Sequence, residues 1–174
     1  MDKNRTTGEL TKELYDLLKN LARAKMKKEF PGATLQPTAL VHEAFMRLGE
    51  SGGWKSKSYF LAAAANAMRR ILVERARARN AVKRGGEYRK IMISDLDGIV
   101  VDVSDRELIE LEEALHSLKE IDARKATIVE MKFFGGLTIP EMAEALGVSE
   151  ATIKREWTFA RALIREYAET GKFC

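Results

Sequence analysis

The sequence predicts an all-α protein of two small helical domains joined by a flexible linker. Apolar residues recur at helical spacing in both halves of the chain. Glycine, proline and capping residues stand where those periods stop. Between the halves, residues 81–104 contain three glycines and no helical stripe. We therefore expect helical domains over residues 8–80 and 105–170, with residues 81–104 as the linker.

The composition is that of a folded protein, since 45% of the 174 residues are hydrophobic and 32% are charged. Each domain of about 70 residues would bury a thin core and be only modestly stable alone. The one cysteine, Cys174, allows no disulfide within the chain and indicates a reducing compartment. Neither a membrane-spanning apolar run nor a signal-peptide core is present. We expect a cytoplasmic protein without membrane insertion, monomeric when free.

Three amphipathic helices are predicted in the first half. Leucines spaced along Leu10–Leu21 form the stripe of the first, which Pro31-Gly32 ends. The second, in "PTALVHEAFMRLG", carries its apolar stripe between Leu40 and Leu48. The third, "YFLAAAANAMRRILVERARARN", repeats apolar residues from Phe60 to Leu72 and contains no helix breaker.

The charges fall into two blocks of opposite sign. Residues 66–90 contain nine Lys and Arg against two acids, and residues 95–122 contain ten acids against two bases. Such a separation suggests two different partners. Asp97-Gly98 between short β-branched runs could form a hairpin, but an isolated hairpin is marginal in water, so an extended linker is favoured.

The second half opens with a capping box at Ser104–Glu107, and a helix from about Ala123 ends at Gly135-Gly136. Its last part reads "LTIPEMAEALGVSEATIKREW". There Thr138–Glu141 is a second capping box, Gly147 suits a tight turn, and Ser149 can cap the next helix. This pattern predicts a helix-turn-helix.

The last helix has two contrasting faces. Ile153, Trp157, Ala160 and Ile164 lie within one narrow apolar arc. Small, hydroxyl and cationic side chains elsewhere on the helix are those that a recognition helix needs for phosphates and base edges. The candidate DNA-binding residues are Ala151, Thr152, Lys154, Arg155, Thr158, Arg161 and Arg165. The alternative is a helical hairpin whose basic residues merely face water. Because six acids outnumber five bases from residue 137 onward, the module should bind DNA weakly by itself.

In chain order these segments resemble the bacterial extracytoplasmic-function (ECF) sigma factors. "LVHEAFMRL" looks like the region-2 pattern L-V-x-E-x-F-x-x-L, and "YFLAAAANAMRRILVERARARNAVKRGG" is similar to the helix that melts promoters and reads the −10 element. The stretch from "ALHSLKEID" to "TFARALI" resembles region 4. "FFGGLT" and "ALGVSEATIKREW" are the most specific strings.

The resemblance implies a sigma factor that binds core RNA polymerase, reads −10 and −35 promoter elements and assists strand opening. Promoter DNA, duplex and unpaired, would be its second partner, and an anti-sigma factor is left open. The polymerase-binding residues would be Leu40, His42, Glu43 and Arg47. Those for the −10 element would be Trp54, Asn66, Arg69, Arg70, Arg75 and Arg77. For both sets the alternative is a solvated helix face.

The sequence departs from the family pattern at two places that bear on the expected polymerase and −35 contacts. Residues 36–39, Gln-Pro-Thr-Ala, replace the acidic run that many members carry ahead of the clamp helix, and Thr158-Phe159 stands where many have basic residues. Linker acids, among them Asp95, Asp97, Asp102 and Asp105, could occupy cationic surface in the RNA exit path, or simply solubilise the linker.

Competing interpretations are a helix-turn-helix repressor or activator that acts without polymerase, and an RNA-binding protein. Either leaves part of the sequence pattern unexplained. An enzyme is not expected, because two histidines, one terminal cysteine and no phosphate-binding glycine loop offer no catalytic constellation. No cofactor or metal is expected either.

Overall fold

The protein is described by a computed structural model that covers residues 12, 15–16, 19, 37–48, 54–82 and 105–173. Over these ranges the chain is helical, with no strand. The six bounded helices are α1 (Pro37–Leu48), α2 (Lys57–Val82), α3 (Asp105–Ile121), α4 (Ala123–Gly135), α5 (Ile139–Leu146) and α6 (Glu150–Thr170). The all-α prediction is confirmed, as are the predicted helices that lie within these ranges.

Several sequence predictions fall outside the described residues. These are the leucines of the first predicted helix, the break at Pro31-Gly32, the Asp97-Gly98 hairpin or extended linker, and the cap at Ser104. Lys12, Tyr15, Asp16 and Lys19 are helical, and the Tyr15 ring packs edge-on against Phe45 at 6.4 Å between centroids. The linker over residues 81–104 stays a prediction.

Helix α2 occupies the centre of the molecule. It packs against α1 on one side and against α3, α4 and α5 of the second half on the other. Its buried residues therefore extend around most of its circumference, from Phe60 and Ile71 on one side to Ala65 and Ala76 on the other. Residues 37–82 and residues 105–173 consequently share one continuous hydrophobic core.

The two halves approach closely because small residues meet at their interface. Gly135, the last residue of α4, lies against Ala65 of α2: a Cβ added to Gly135 would stand 2.8 Å from the Ala65 Cβ and 3.4 Å from the Leu61 carbonyl oxygen. No ordinary carbon–carbon contact is that short, so glycine is needed at this position.

Local capping fixes the ends of the second-half helices. The Asp122 side chain accepts a hydrogen bond from the Lys125 N–H at the start of α4. A hydrogen bond from the Lys125 ammonium, together with this backbone bond, lowers the pKa of Asp122. At the start of α5, Thr138 and Glu141 form the predicted reciprocal capping box. Helix α4 ends at Gly135 and is capped by Gly136, which is in the left-handed conformation with φ 61°. Each of these boundaries follows from local sequence.

We expect Gly135→Val to destabilise the protein by about 1–3 kcal/mol or more, because the new side chain overpacks the contact with Ala65. Ala123→Val, at an exposed position of the same helix, is the matched control and should cost no more than about 0.7 kcal/mol of helix propensity. Urea denaturation followed by circular dichroism measures both. Equal stability of the two variants would contradict the close approach of α4 to α2.

Candidate nucleic-acid interface

Helices α5 and α6 meet at a tight turn built by Gly147. Its φ of 65° is left-handed, and its N–H donates to the carbonyls of Ala143 and Glu144. Val148 packs against the core at the angle between the helices. Ser149 then caps α6 by accepting a hydrogen bond from the Thr152 N–H at 3.2 Å. The predicted helix-turn-helix geometry is confirmed at each of these positions.

Helix α6 buries one face and exposes the other. The predicted inward residues, Ile153, Trp157, Ala160 and Ile164, are all buried. On the outer side Ala151, Lys154, Arg155, Thr158 and Arg165 are exposed, and Thr152 and Arg161 are partly exposed. The helix therefore offers basic and small side chains together on one surface, although the Thr158 hydroxyl already donates to the Lys154 carbonyl at 2.9 Å.

An ion pair between a buried carboxylate and a half-exposed arginine, which was not predicted, fixes the rotation of α6. The Glu156 side chain is 7% exposed, and its carboxylate accepts two hydrogen bonds from the Arg124 guanidinium of α4, one of them at 2.8 Å. The hydrogen bonds and the charge of Glu156 raise the pKa of Arg124. A carboxylate buried here without its partner would be costly, so the pair holds the outer face of α6 toward solvent.

The expected polymerase-binding residues lie on α1, with Leu40 buried in the core and His42 exposed. Glu43 and Arg47 take part in an ion-pair network on the surface of the protein. Arg47 donates to Glu43 at 2.9 Å and to Glu74 of α2 at 2.8 Å, and Arg75 of α2 donates to Glu43 at 2.8 Å. The hydrogen bond from Arg75 outweighs desolvation and helps to lower the pKa of Glu43.

The expected −10 residues separate into three groups on and before α2. Arg70 and Arg77 are exposed, and Asn66 and Arg75 are partly exposed. The Trp54 ring packs edge-on against Phe60 with centroids 5.4 Å apart, so it is joined to the core. Arg69 differs from the rest, since it faces the second half of the chain.

Arg69 lies between two carboxylates of the second half. Its Nη1 donates to Glu112 of α3, at 2.6 Å to Oε1, and its Nε stands 3.3 Å from Glu130 of α4. Its side chain is only 16% exposed. Burial alone would lower the pKa of Arg69, but the hydrogen bond to Glu112 and the charges of both glutamates raise it. In this arrangement the Arg69 guanidinium does not face solvent, as a nucleic-acid contact would.

Further contacts tie α2 to the second half. Ser58 donates to Glu144 at 2.6 Å, and hydrogen bonds from Ser58 and Ser56 lower the pKa of Glu144. At the other end Arg79 donates to Asp105 at 2.8 Å. Asp105, expected among the linker acids, is thus the first residue of α3 and pairs with Arg79.

These contacts could have been anticipated from the separation of basic and acidic residues along the sequence. Arg69 and Arg79 belong to the basic block, and Glu112 and Asp105 belong to the acidic block. We expected two different partners for the two blocks, whereas at these residues the blocks pair with each other.

The ECF sigma factor family model matches residues 2–170, which is nearly the whole chain. The protein belongs to the ECF sigma factor family. Comparison with curated proteins and with solved structures gave no match. As a member of this family the sigma factor directs promoter-specific initiation by RNA polymerase, and it is not itself an enzyme.

Within the ranges described, the sigma factor has no helix long and apolar enough to cross a membrane. Over the same residues no three His, Cys, Asp or Glu side chains are grouped so as to hold a metal ion.

We expect Trp157→Ala to destabilise the sigma factor by about 3–5 kcal/mol, because it removes a large buried side chain that fixes α6 to the core. Lys154→Ala and Arg155→Ala should change stability by no more than about 0.5 kcal/mol, since both side chains are exposed. Chemical denaturation of the three variants measures the difference. Similar losses in all three would contradict the orientation of α6.

Proposed function

We propose that α6 reads the −35 element of the promoter in the major groove. The observation that carries this proposal is the combination of a Gly147 turn, a Ser149 cap and an exposed outer face bearing Lys154 and Arg155. Small Ala151 lets the backbone approach the groove, and the two cations can meet phosphates or base edges. The departure from the family pattern at Thr158-Phe159 would affect which bases of the −35 element α6 reads.

We further propose that residues 8–80 form the domain that binds the polymerase clamp and the −10 element, and that residues 105–170 form the −35 domain. The exposed side of α1, with His42, Glu43 and Arg47, is the proposed polymerase contact. The network of Glu43 and Arg47 with α2 supports this assignment, because it would hold the α1 side chains in fixed positions for a partner.

The proposed −10 surface combines Asn66, Arg69 and Arg70 of α2 with Arg75, Arg77 and Trp54. Asn66 can donate to and accept from a base edge, while an arginine can hold adjacent backbone or stack on a base. Such contacts suit an unpaired strand, whose bases must be taken out of the stack at a cost of a few kcal/mol. The sigma factor would do this in the cytoplasm, as a monomer when free.

We expect Arg155→Ala and Lys154→Ala to weaken use of the −35 element while core polymerase binding is kept. A lost base contact should cost about 1–3 kcal/mol and relax specificity at one position, whereas a lost phosphate contact should weaken all sequences alike. The measurement is transcription by the reconstituted holoenzyme from a promoter selected out of random duplexes, with every −35 position varied.

Lys119→Ala is the control for these variants, because it removes one exposed positive charge from α3, outside the recognition helix. It should leave the −35 profile unchanged. If Lys119→Ala reduced transcription as much as Arg155→Ala, general electrostatic attraction rather than α6 would explain the effect.

We expect Asn66→Ala and Arg69→Ala to reduce open-complex formation on fully paired promoter DNA. A template already mismatched around the start site should restore much of the activity, because the cost of strand opening has been met in advance. Abortive transcription by the holoenzyme on paired and mismatched templates measures this recovery.

The matched control is Asn80→Ala, an exposed asparagine near the end of the same helix that has no assigned role. It should behave as the unaltered protein on both templates. Equal defects of Asn66→Ala on paired and mismatched templates would exclude a specific contribution of Asn66 to strand opening.

A further inference from the structure

We propose that Phe159 recognises the 5-methyl group of a thymine in the −35 element. The inference rests on the proposed function of α6, and it adds the chemical group that one position of this helix reads. Phe159 is not among the DNA contacts predicted for α6. Two observations single it out: the exposure of its ring on the outer side of α6, and the way in which α4 holds that ring.

The Phe159 ring lies on the surface that α6 turns toward solvent. Phe159 is 55% exposed, although phenylalanine is among the residues most often buried. With about 3.6 residues per turn, it stands about 40° from Arg155 and about 60° from Ala162 around the helix axis, and both of these residues are exposed. It stands about 120° or more from Ile153 and Trp157, which are buried. A helix that places Arg155 in the major groove therefore brings Phe159 to the base edges.

Helix α4 holds the ring in one orientation. The Lys125 ammonium lies over the Phe159 ring, with Nζ 5.3 Å from the ring centroid. Lys125 is itself held, because its ammonium donates to the Asp122 carboxylate and its side chain is only 19% exposed. One face of the ring thus lies against a fixed cation, and the rest of the ring is available to a ligand. A side chain that is already fixed loses little conformational freedom when it binds.

The chemistry of the ring favours thymine among the four bases. In the major groove every base presents hydrogen-bonding groups, but only thymine adds an apolar methyl group at C5. Phe159 has neither a donor nor an acceptor to offer, so against a polar base edge it would displace water without replacing the hydrogen bonds of that water. Against the thymine methyl group it removes apolar surface from water. One base-pair position is therefore read through a methyl group rather than through a hydrogen bond.

The test uses the reconstituted holoenzyme and the promoter that it selects from random duplexes. Each thymine of the −35 element, on either strand, is replaced singly by uracil. Uracil keeps every hydrogen-bonding group of thymine and lacks only the methyl group, so its effect reports contact with that methyl. The rate of transcription is measured on each template for the unaltered protein, for Phe159→Ala and for Ile121→Ala. Ile121, 62% exposed at the end of α3, is the matched control for loss of an exposed apolar side chain.

We expect one thymine at which uracil lowers transcription by the unaltered protein about fourfold, the ratio that burial of one methyl-sized group gives. Phe159→Ala should lower transcription from the thymine template by about the same factor and no longer distinguish thymine from uracil. Ile121→Ala should keep the ratio between the two templates. At the same position, 5-methylcytosine paired with guanine should support faster transcription than cytosine paired with guanine, because it restores the methyl group.

Two results would each overturn the proposal. The first is a −35 element that contains no thymine sensitive to uracil, a result obtained with the unaltered protein and independent of how any variant folds. The second is a Phe159→Ala variant that keeps the ratio between thymine and uracil templates, whatever its overall activity. A smaller folded fraction, or loss of a contact with polymerase, would slow transcription from both templates alike and leave that ratio unchanged.

These outcomes are distinct from failure of the proposed function. Lys154 stands about 140° from Phe159 around the helix, so Lys154→Ala should slow transcription from thymine and uracil templates by the same factor. If no base change in the −35 element altered transcription by the unaltered protein, reading by α6 itself would be contradicted. A −35 element that is read without any effect of uracil would remove the role of Phe159 alone and leave the proposed function standing.

Discussion

Burial of α2 on two sides is the constraint on which the rest of the structure depends. A helix that serves a single small domain needs one apolar stripe, but α2 has a second stripe of small and apolar residues that needs a cover. The second half provides it, with Gly135 against Ala65 at the closest point. Once that surface is covered, polar residues beside it must find partners within the protein, and Arg69 does so with Glu112 and Glu130.

The recognition helix is positioned by a separate set of interactions. Trp157 and its apolar neighbours fix α6 to the core, Gly147 and Ser149 define where the helix begins, and the pair of Arg124 with Glu156 fixes its rotation. Its outer face is therefore exposed while α2 is covered. The two proposed DNA-binding surfaces consequently differ in accessibility: the −35 surface faces solvent, whereas the −10 surface is partly enclosed.

Local sequence was sufficient for the helix limits and for the inward face of α6, because caps and apolar periodicity act over a few residues. Thr138, Gly147 and Ser149 are each a helix cap that can be identified from the local sequence. The contacts of Arg69 could not be derived in the same way. A basic residue in an alanine-rich helix has the same local pattern whether it faces water, DNA or a glutamate forty residues away. The opposite charges of the two sequence blocks indicate that residues of one block could pair with residues of the other. Only the packing of the two halves shows which residues pair.

The enclosure of Arg69 has a consequence for how a free pool of this protein would distribute in a cell. A bacterial chromosome presents on the order of a million or more non-specific sites, and exposed arginines bind such sites through phosphate alone. A chain that displayed its whole basic helix would be titrated by the chromosome before it met polymerase. With Arg69 paired to Glu112 and Glu130, α2 offers one cation fewer to such sites, so its non-specific attraction to DNA is weaker than its arginine content alone would give.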